Sequence, residues 1–174
     1  MAAIATRPLR VALLTSSRSW RGSSTVFAVL GRGLAGRGHT TTAVVAHEPL
    51  VAGFQARSLR VRKLPVGHTS LTGARALRQA LGTAELAADV VLVDRARDIR
   101  LAAFASLGRP LTVVYCISTP RPSRDLLTRL AFRRVAATVF LTQQLAQSAL
   151  GRPWCLSLDL LARRDHGCLC KGVN

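Results

Sequence analysis

The sequence predicts an α/β fold, a Rossmann-like, doubly wound parallel sheet with helices on both faces. Three observations carry this. Short, continuously apolar runs recur along the chain, which is how strands covered on both faces read. Each run is followed by a segment whose apolar residues step by three and four, the period of a helix lying on one face. The two kinds of segment alternate about six times, as βα units do, and right-handed crossovers then put helices on both sides of the sheet.

The elements follow in order. Leu9 to Thr15 (LRVALLT) reads as a buried strand. After a polar turn, Ser23 or Ser24 supplies an N-cap hydroxyl for a helix with Val26, Phe27, Leu30 and Leu34 on its apolar face, ending at Gly38. Thr40 to Ala46 is the second strand, and Leu59 to Val66 alternates apolar with basic residues, as an edge strand does. Ser70 to Leu86 reads as a helix with Leu71, Ala74, Leu77 and Leu81 in register. Asp89 to Asp94 is an apolar strand, Arg97 to Gly108 a helix and Pro110 to Ile117 a further strand. Arg124 to Val135 is an amphipathic helix in which Asp125 sits in the first turn. Ala136 to Thr142 is a strand and Gln143 to Gly151 a short helix.

Composition bounds the function classes. With 174 residues, 49% hydrophobic and 19% charged, the chain is long enough for one domain with a real core. Its formal charge is +17, and of the 25 basic residues only Lys63 and Lys171 are lysines. Arginine, alanine and glycine richness fits a GC-rich bacterial genome, so part of that charge is compositional. The rest suits anions: a nucleotide phosphate, membrane phospholipid or nucleic acid. The arginines are scattered, with no basic run and no reader motif, so nucleic acid is not the expected partner. No apolar run approaches the roughly 18 residues of a membrane span, and Val11 to Leu14 is too short for a signal-peptide core. The expectation is a cytoplasmic protein, in which Cys116, Cys155, Cys168 and Cys170 are small core residues rather than disulfides. His166 to Cys170 (HGCLC) lacks the second ligand pair of a zinc site, so no metal is expected.

Ligands of such sheets sit at the C-terminal ends of the strands. Three polar, basic loops fall there: SSRSWRGSS after the first strand, DRARD after the fourth and CISTPRPSR after the fifth. Gly22 and Ser23 read either as phosphate-facing amides or as a turn and N-cap. Trp20 and Arg21 are candidate ligand contacts, as are Asp94, Arg95 and Asp98, although Asp98 would also serve as a helix cap. Arg121 and Arg124, flanking Pro122, suit a phosphate or lipid headgroup. His39, behind Gly38, complements a helix C-terminus.

These features, in this order, resemble the N-terminal domain of family 4 glycosyltransferases of the GT-B fold. The first strand, glycine-containing loop and long helix ending GRGH (Gly36 to His39) are similar to that family's opening. Ala88 to Tyr115 resembles its fourth strand, loop, helix and fifth strand, and Leu127 to Leu150 the elements that close the domain. CLCKGVN (Cys168 to Asn174) is similar to the turn leading into the second domain. The resemblance implies residues 1–167 as an acceptor-side domain and residues 168–174 as the start of the interdomain linker. It implies sugar transfer from a nucleotide-sugar to a sugar or lipid-linked acceptor, beside an anionic membrane, with no cofactor beyond the donor substrate. Retaining members carry a Glu-x7-Glu motif in the second domain, whereas Glu48 and Glu85 are the only glutamates here. The expectation is therefore a truncated half, inactive without a donor-binding domain or a separate donor-binding chain. The alternatives are a gene remnant and a non-catalytic module for phosphorylated ligands. Two positions depart from the family: Gly22 is followed by Ser23 rather than a second glycine, and Cys116 and Ile117 stand where many members carry Arg or His.

Overall fold

A computed structural model describes residues 7–68, 70–117 and 125–140. Within them the chain alternates strand and helix: β1 (Arg10–Thr15), α1 (Gly22–Ala35), β2 (Thr40–Val45), α2 (Glu48–Gln55), β3 (Arg60–Lys63), α3 (Leu71–Ala80), β4 (Val90–Val93), α4 (Ala96–Ala105), β5 (Thr112–Ile117), α5 (Leu126–Phe132) and β6 (Val135–Phe140). The six strands form one sheet in the order β3-β2-β1-β4-β5-β6. All pairings are parallel, with Val11 opposite Thr41 on one side and Val90 on the other. This is the doubly wound order, whose direction reverses between β1 and β4.

Two apolar layers follow from the strand alternation. Leu13, Ala43 and Val45 face Phe27 of α1 and Leu50 and Phe54 of α2. Ala12, Leu14, Val91 and Val93 face Leu77 of α3 and Ile99 and Leu101 of α4. Leu13, Leu14, Phe27 and Phe54 are essentially fully buried, a burial that stabilises by about 1.5–3 kcal/mol per side chain. Gly31 lets α1 approach the sheet: a Cβ there would stand 2.9 Å from Leu13 Cδ1. Gly38, at φ 85°, turns the chain out of α1 in a conformation that glycine adopts freely.

Three details differ from the sequence-based reading. A helix, α2, occupies Glu48–Gln55, where none was expected. Its eight residues are too few for a clear period, but Pro49 in the first turn and Leu50 and Phe54 four apart are its signals. The third helix stops at Ala80, short of Leu86, because the chain turns through Gly82 and Thr83. Neither Ser23 nor Ser24 is the N-cap of α1. That position is Arg21, and Ser24 sits one turn inside, its hydroxyl accepting from the Arg21 N–H at 3.4 Å.

Other expectations hold. The leading edge strand β3 is exposed and basic. His39 Nδ1 accepts from the Leu9 N–H at 3.2 Å, a structural role. Asp125 caps α5, accepting from the Thr128 N–H at 2.7 Å. Cys116 is a buried free thiol. No helix among the described residues is long and apolar enough to cross a membrane. The helix expected at Gln143 to Gly151, Cys155, Cys168, Cys170 and the linker of residues 168–174 lie outside the described residues.

Candidate functional site at the switch point

The reversal between β1 and β4 brings two loops side by side at the C-terminal edge of the sheet. One runs from Thr15 to Arg21, the other from Asp94 into α4. Each leaves a buried strand, so its first residues stay buried and must find partners within the protein. Thr15, Ser16, Ser17, Asp94 and Asp98 are all buried polar residues.

The two loops are tied directly. The Ser16 N–H donates to Asp98 Oδ2 at 3.2 Å. The Arg95 guanidinium donates to Ser17 Oγ at 3.2 Å, and that hydroxyl donates to the Ser19 carbonyl at 2.8 Å. Arg95 thus braces the first loop, with its side chain half-buried. A third tie runs from Arg97 to the Gly67 carbonyl at 3.2 Å, holding the loop after β3.

Beneath the loops lies an acidic pair. Asp98 is fully buried and Asp94 is 6% exposed. One oxygen of each, Asp94 Oδ1 and Asp98 Oδ1, has no partner among the described residues, and neither does Ser16 Oγ. Burial, then the neighbouring charge of Asp94, pushes the Asp98 carboxyl up to about 8, against the hydrogen bonds from Ser16. Burial and the Asp94 charge therefore both favour the protonated form of Asp98. From β5, the Tyr115 hydroxyl and the Cys116 thiol are both pushed up to about 12, by burial first and then by Asp94.

The candidate residues separate by role. Asp94 and Asp98 form the floor of the site. Asp98 is the third residue of α4 and does not cap it; the N-cap position is Arg95. Arg21 and Gly22 are exposed and Ser23 is half-buried at the N-terminus of α1. The amides of that first turn have no preceding carbonyl to take them, and the first turn itself carries no acidic side chain to offset the positive end of the helix. Trp20 turns away toward α2. Its ring packs on Phe54 at 5.0 Å between centroids and lies under the Arg57 guanidinium at 4.2 Å. Its indole N–H donates to Thr25 Oγ1 at 3.0 Å. Gly53 makes room for it, since a Cβ there would stand 2.2 Å from the ring. Arg121 and Arg124 lie outside the described residues.

Sequence reasoning missed Ser16 and Ser17. The signal was two small polar residues directly after a buried strand, where burial obliges their amides and hydroxyls to be satisfied.

No protein-family model matches the chain, and neither does any curated protein. Among solved structures, the Anabaena protein HepE in complex with UDP-glucose is similar, with a TM-score of 0.65 and 12% sequence identity. The match covers 82% of this chain and 40% of that one, so the chain spans less than half of its structural relative. The likeness agrees with the parallel order of the six strands, and together they identify the chain as a Rossmann-like α/β domain of the kind that makes half of a GT-B fold.

Proposed function

We propose that the chain is the acceptor-side half of a family 4-like glycosyltransferase, acting with a donor-binding domain or chain on a nucleotide-sugar and a sugar or lipid-linked acceptor. The observation that carries this is the braced first loop. Asp98 and Arg95 hold residues 16–19 against β4, leaving Arg21, Gly22 and Ser23 at the open N-terminus of α1. Glycosyl transfer builds negative charge on the departing diphosphate, and fixed donors aimed at that charge stabilise it. The first-turn amides of α1 and the Arg21 guanidinium supply such donors, as helix N-termini do for phosphates generally. The fold likeness to a protein bound to UDP-glucose supports the ligand class.

The test is calorimetric titration with UDP-glucose and other nucleotide-sugars, then a transfer assay alone and with a candidate donor-binding chain. Binding weakened by Arg21→Ala, with transfer only in the presence of the second chain, is the expected result. Binding without transfer in any combination supports the alternative reading, a non-catalytic module for phosphorylated ligands. The absence of nucleotide-sugar binding together with the absence of transfer, alone or with the second chain, overturns both readings.

A further inference from the structure

The N-terminal edge of the sheet, opposite the switch-point loops, carries a second concavity. The strands there begin at Arg10, Thr40 and Arg60. The register sets Arg10 beside Thr40, and Thr42 between Ala12 and Arg60. Strand partners share a face, as do residues two apart, and Ala12 packs on the side of α3. Arg10, Thr40, Thr42 and Arg60 therefore project on that side. α3 stops at Ala80, and the turn after it is held by the Ala87 N–H donating to the Thr83 carbonyl at 2.8 Å. Residues 84–86 of that turn and the four polar side chains line a cavity of about 200 Å³.

The charge around this cavity is unbalanced. Its one acid, Glu85, is taken by Arg62 at 2.9 Å. Asp89, next to it, accepts the Arg10 N–H at 2.9 Å and lies 3.6 Å from Arg10 Nε and 3.5 Å from Arg7. Both Nη groups of Arg10 stay without a partner among the described residues, and so does the whole Arg60 guanidinium. The hydroxyls of Thr40 and Thr42 likewise engage no group among the described residues.

We propose that this groove binds a small phosphomonoester, its phosphate held between the Arg10 and Arg60 guanidinium groups and accepting from the Thr40 and Thr42 hydroxyls. Guanidinium forks match phosphate oxygens in geometry and charge, and a concave wall of one sign concentrates the opposite ion. The volume is below the roughly 300–1,000 Å³ of a pocket for a drug-sized ligand, so it suits a compact phosphate ester rather than a nucleotide-sugar. The length of β1, roughly 20 Å for six residues, separates it from the open end of α1. The inference goes beyond the proposed sugar chemistry and stands without it.

The test is a heteronuclear NMR titration of the full chain with inorganic phosphate and with glycerol phosphate at constant ionic strength. Saturable shifts centred on the Val11, Thr42 and Arg60 amides are expected with both. Arg60→Gln and Thr42→Val each weaken that binding roughly tenfold, as loss of a charge-assisted hydrogen bond does. Arg32→Gln, an exposed residue of α1 on the opposite face of the sheet, removes the same charge and leaves it unchanged. Circular dichroism melts of each variant check that the fold persists. Equal weakening by Arg32→Gln overturns the proposal, since net charge alone then explains the binding. Shifts confined to the Gly22 and Ser23 amides overturn it in favour of the α1 N-terminus. Binding of inorganic phosphate with glycerol phosphate excluded overturns the assignment to a phosphomonoester, and no saturable shift at the strand ends overturns the site.

Discussion

Asp98, at the start of α4, accepts the backbone N–H of Ser16 at 3.2 Å across 82 residues of sequence. This bond joins the loops after β1 and β4 at the point where the sheet reverses direction. Its acceptor is a buried carboxyl that holds its proton, so the junction depends on pH.

The sign follows from linkage. The Asp98 carboxyl stands near 8 in the fold, far above its ordinary 3.8. The folded state therefore binds a proton that the unfolded chain has released. The stabilisation is complete below about pH 4 and is lost as the pH rises toward 8. Asp98→Asn keeps an acceptor for Ser16 and a donor for Asp94 without a titrating proton. Its melting temperature is expected to match the wild type near pH 4 and to exceed it increasingly toward pH 8. Thermal melts across that range check this, and parallel curves for the two proteins would refute the shared proton.

Arg95 braces Ser17 without lying in the core. A hydrogen bond to a charged group contributes about 1.5–3 kcal/mol. Arg95→Ala is therefore expected to lower stability by about that amount and, by releasing the first loop, to weaken nucleotide-sugar binding as well. Paired titration and denaturation measurements separate the two effects.

Gly53→Ala places a methyl group against the Trp20 ring. The ring must leave Phe54 and the Arg57 guanidinium, at a cost of about 1–3 kcal/mol for overpacking. Trp20 fluorescence, read with Trp154 replaced by Phe, is expected to shift to longer wavelength as the ring meets water.

Asp125→Ala removes the cap of α5 and the partner of Arg100. The expected loss is about 1 kcal/mol, the usual value for an N-cap, measured by urea denaturation.

Cys116 is 2% exposed, with its thiol pushed up to about 12. Alkylation at pH 8 is expected to spare Cys116 in the folded protein and to modify it in urea, as peptide mass spectrometry would reveal.

Much of this molecule was legible in its residues. The apolar runs ending at Thr15, Val93 and Ile117 place strands wherever they occur, because a strand buried on both faces tolerates no polar interruption. Alternation with helical periods then dictates parallel pairing, and so puts the loops after β1 and β4 at the ligand edge. The one helix missed, α2, has eight residues, and the spacing of Leu50 and Phe54 alone is too short a run to show a helical period.

The division of labour inside those loops belongs to tertiary structure. In sequence, Trp20 and Arg21 are equivalent loop residues, and Asp94 and Asp98 are equivalent acids. Folding turns Trp20 onto α2 through the space left by Gly53, while Arg21 stays at the open end of α1. It buries Asp94 and Asp98 together, where two charges cannot both persist, so one carboxyl keeps a proton and holds Ser16. The sequence by itself determined which segments are strands, which are helices and which edge of the sheet carries polar loops, because those follow from local apolar pattern. Only the packed structure decided which polar residues face solvent and which brace the site, because that depends on burial and on partners dozens of residues away.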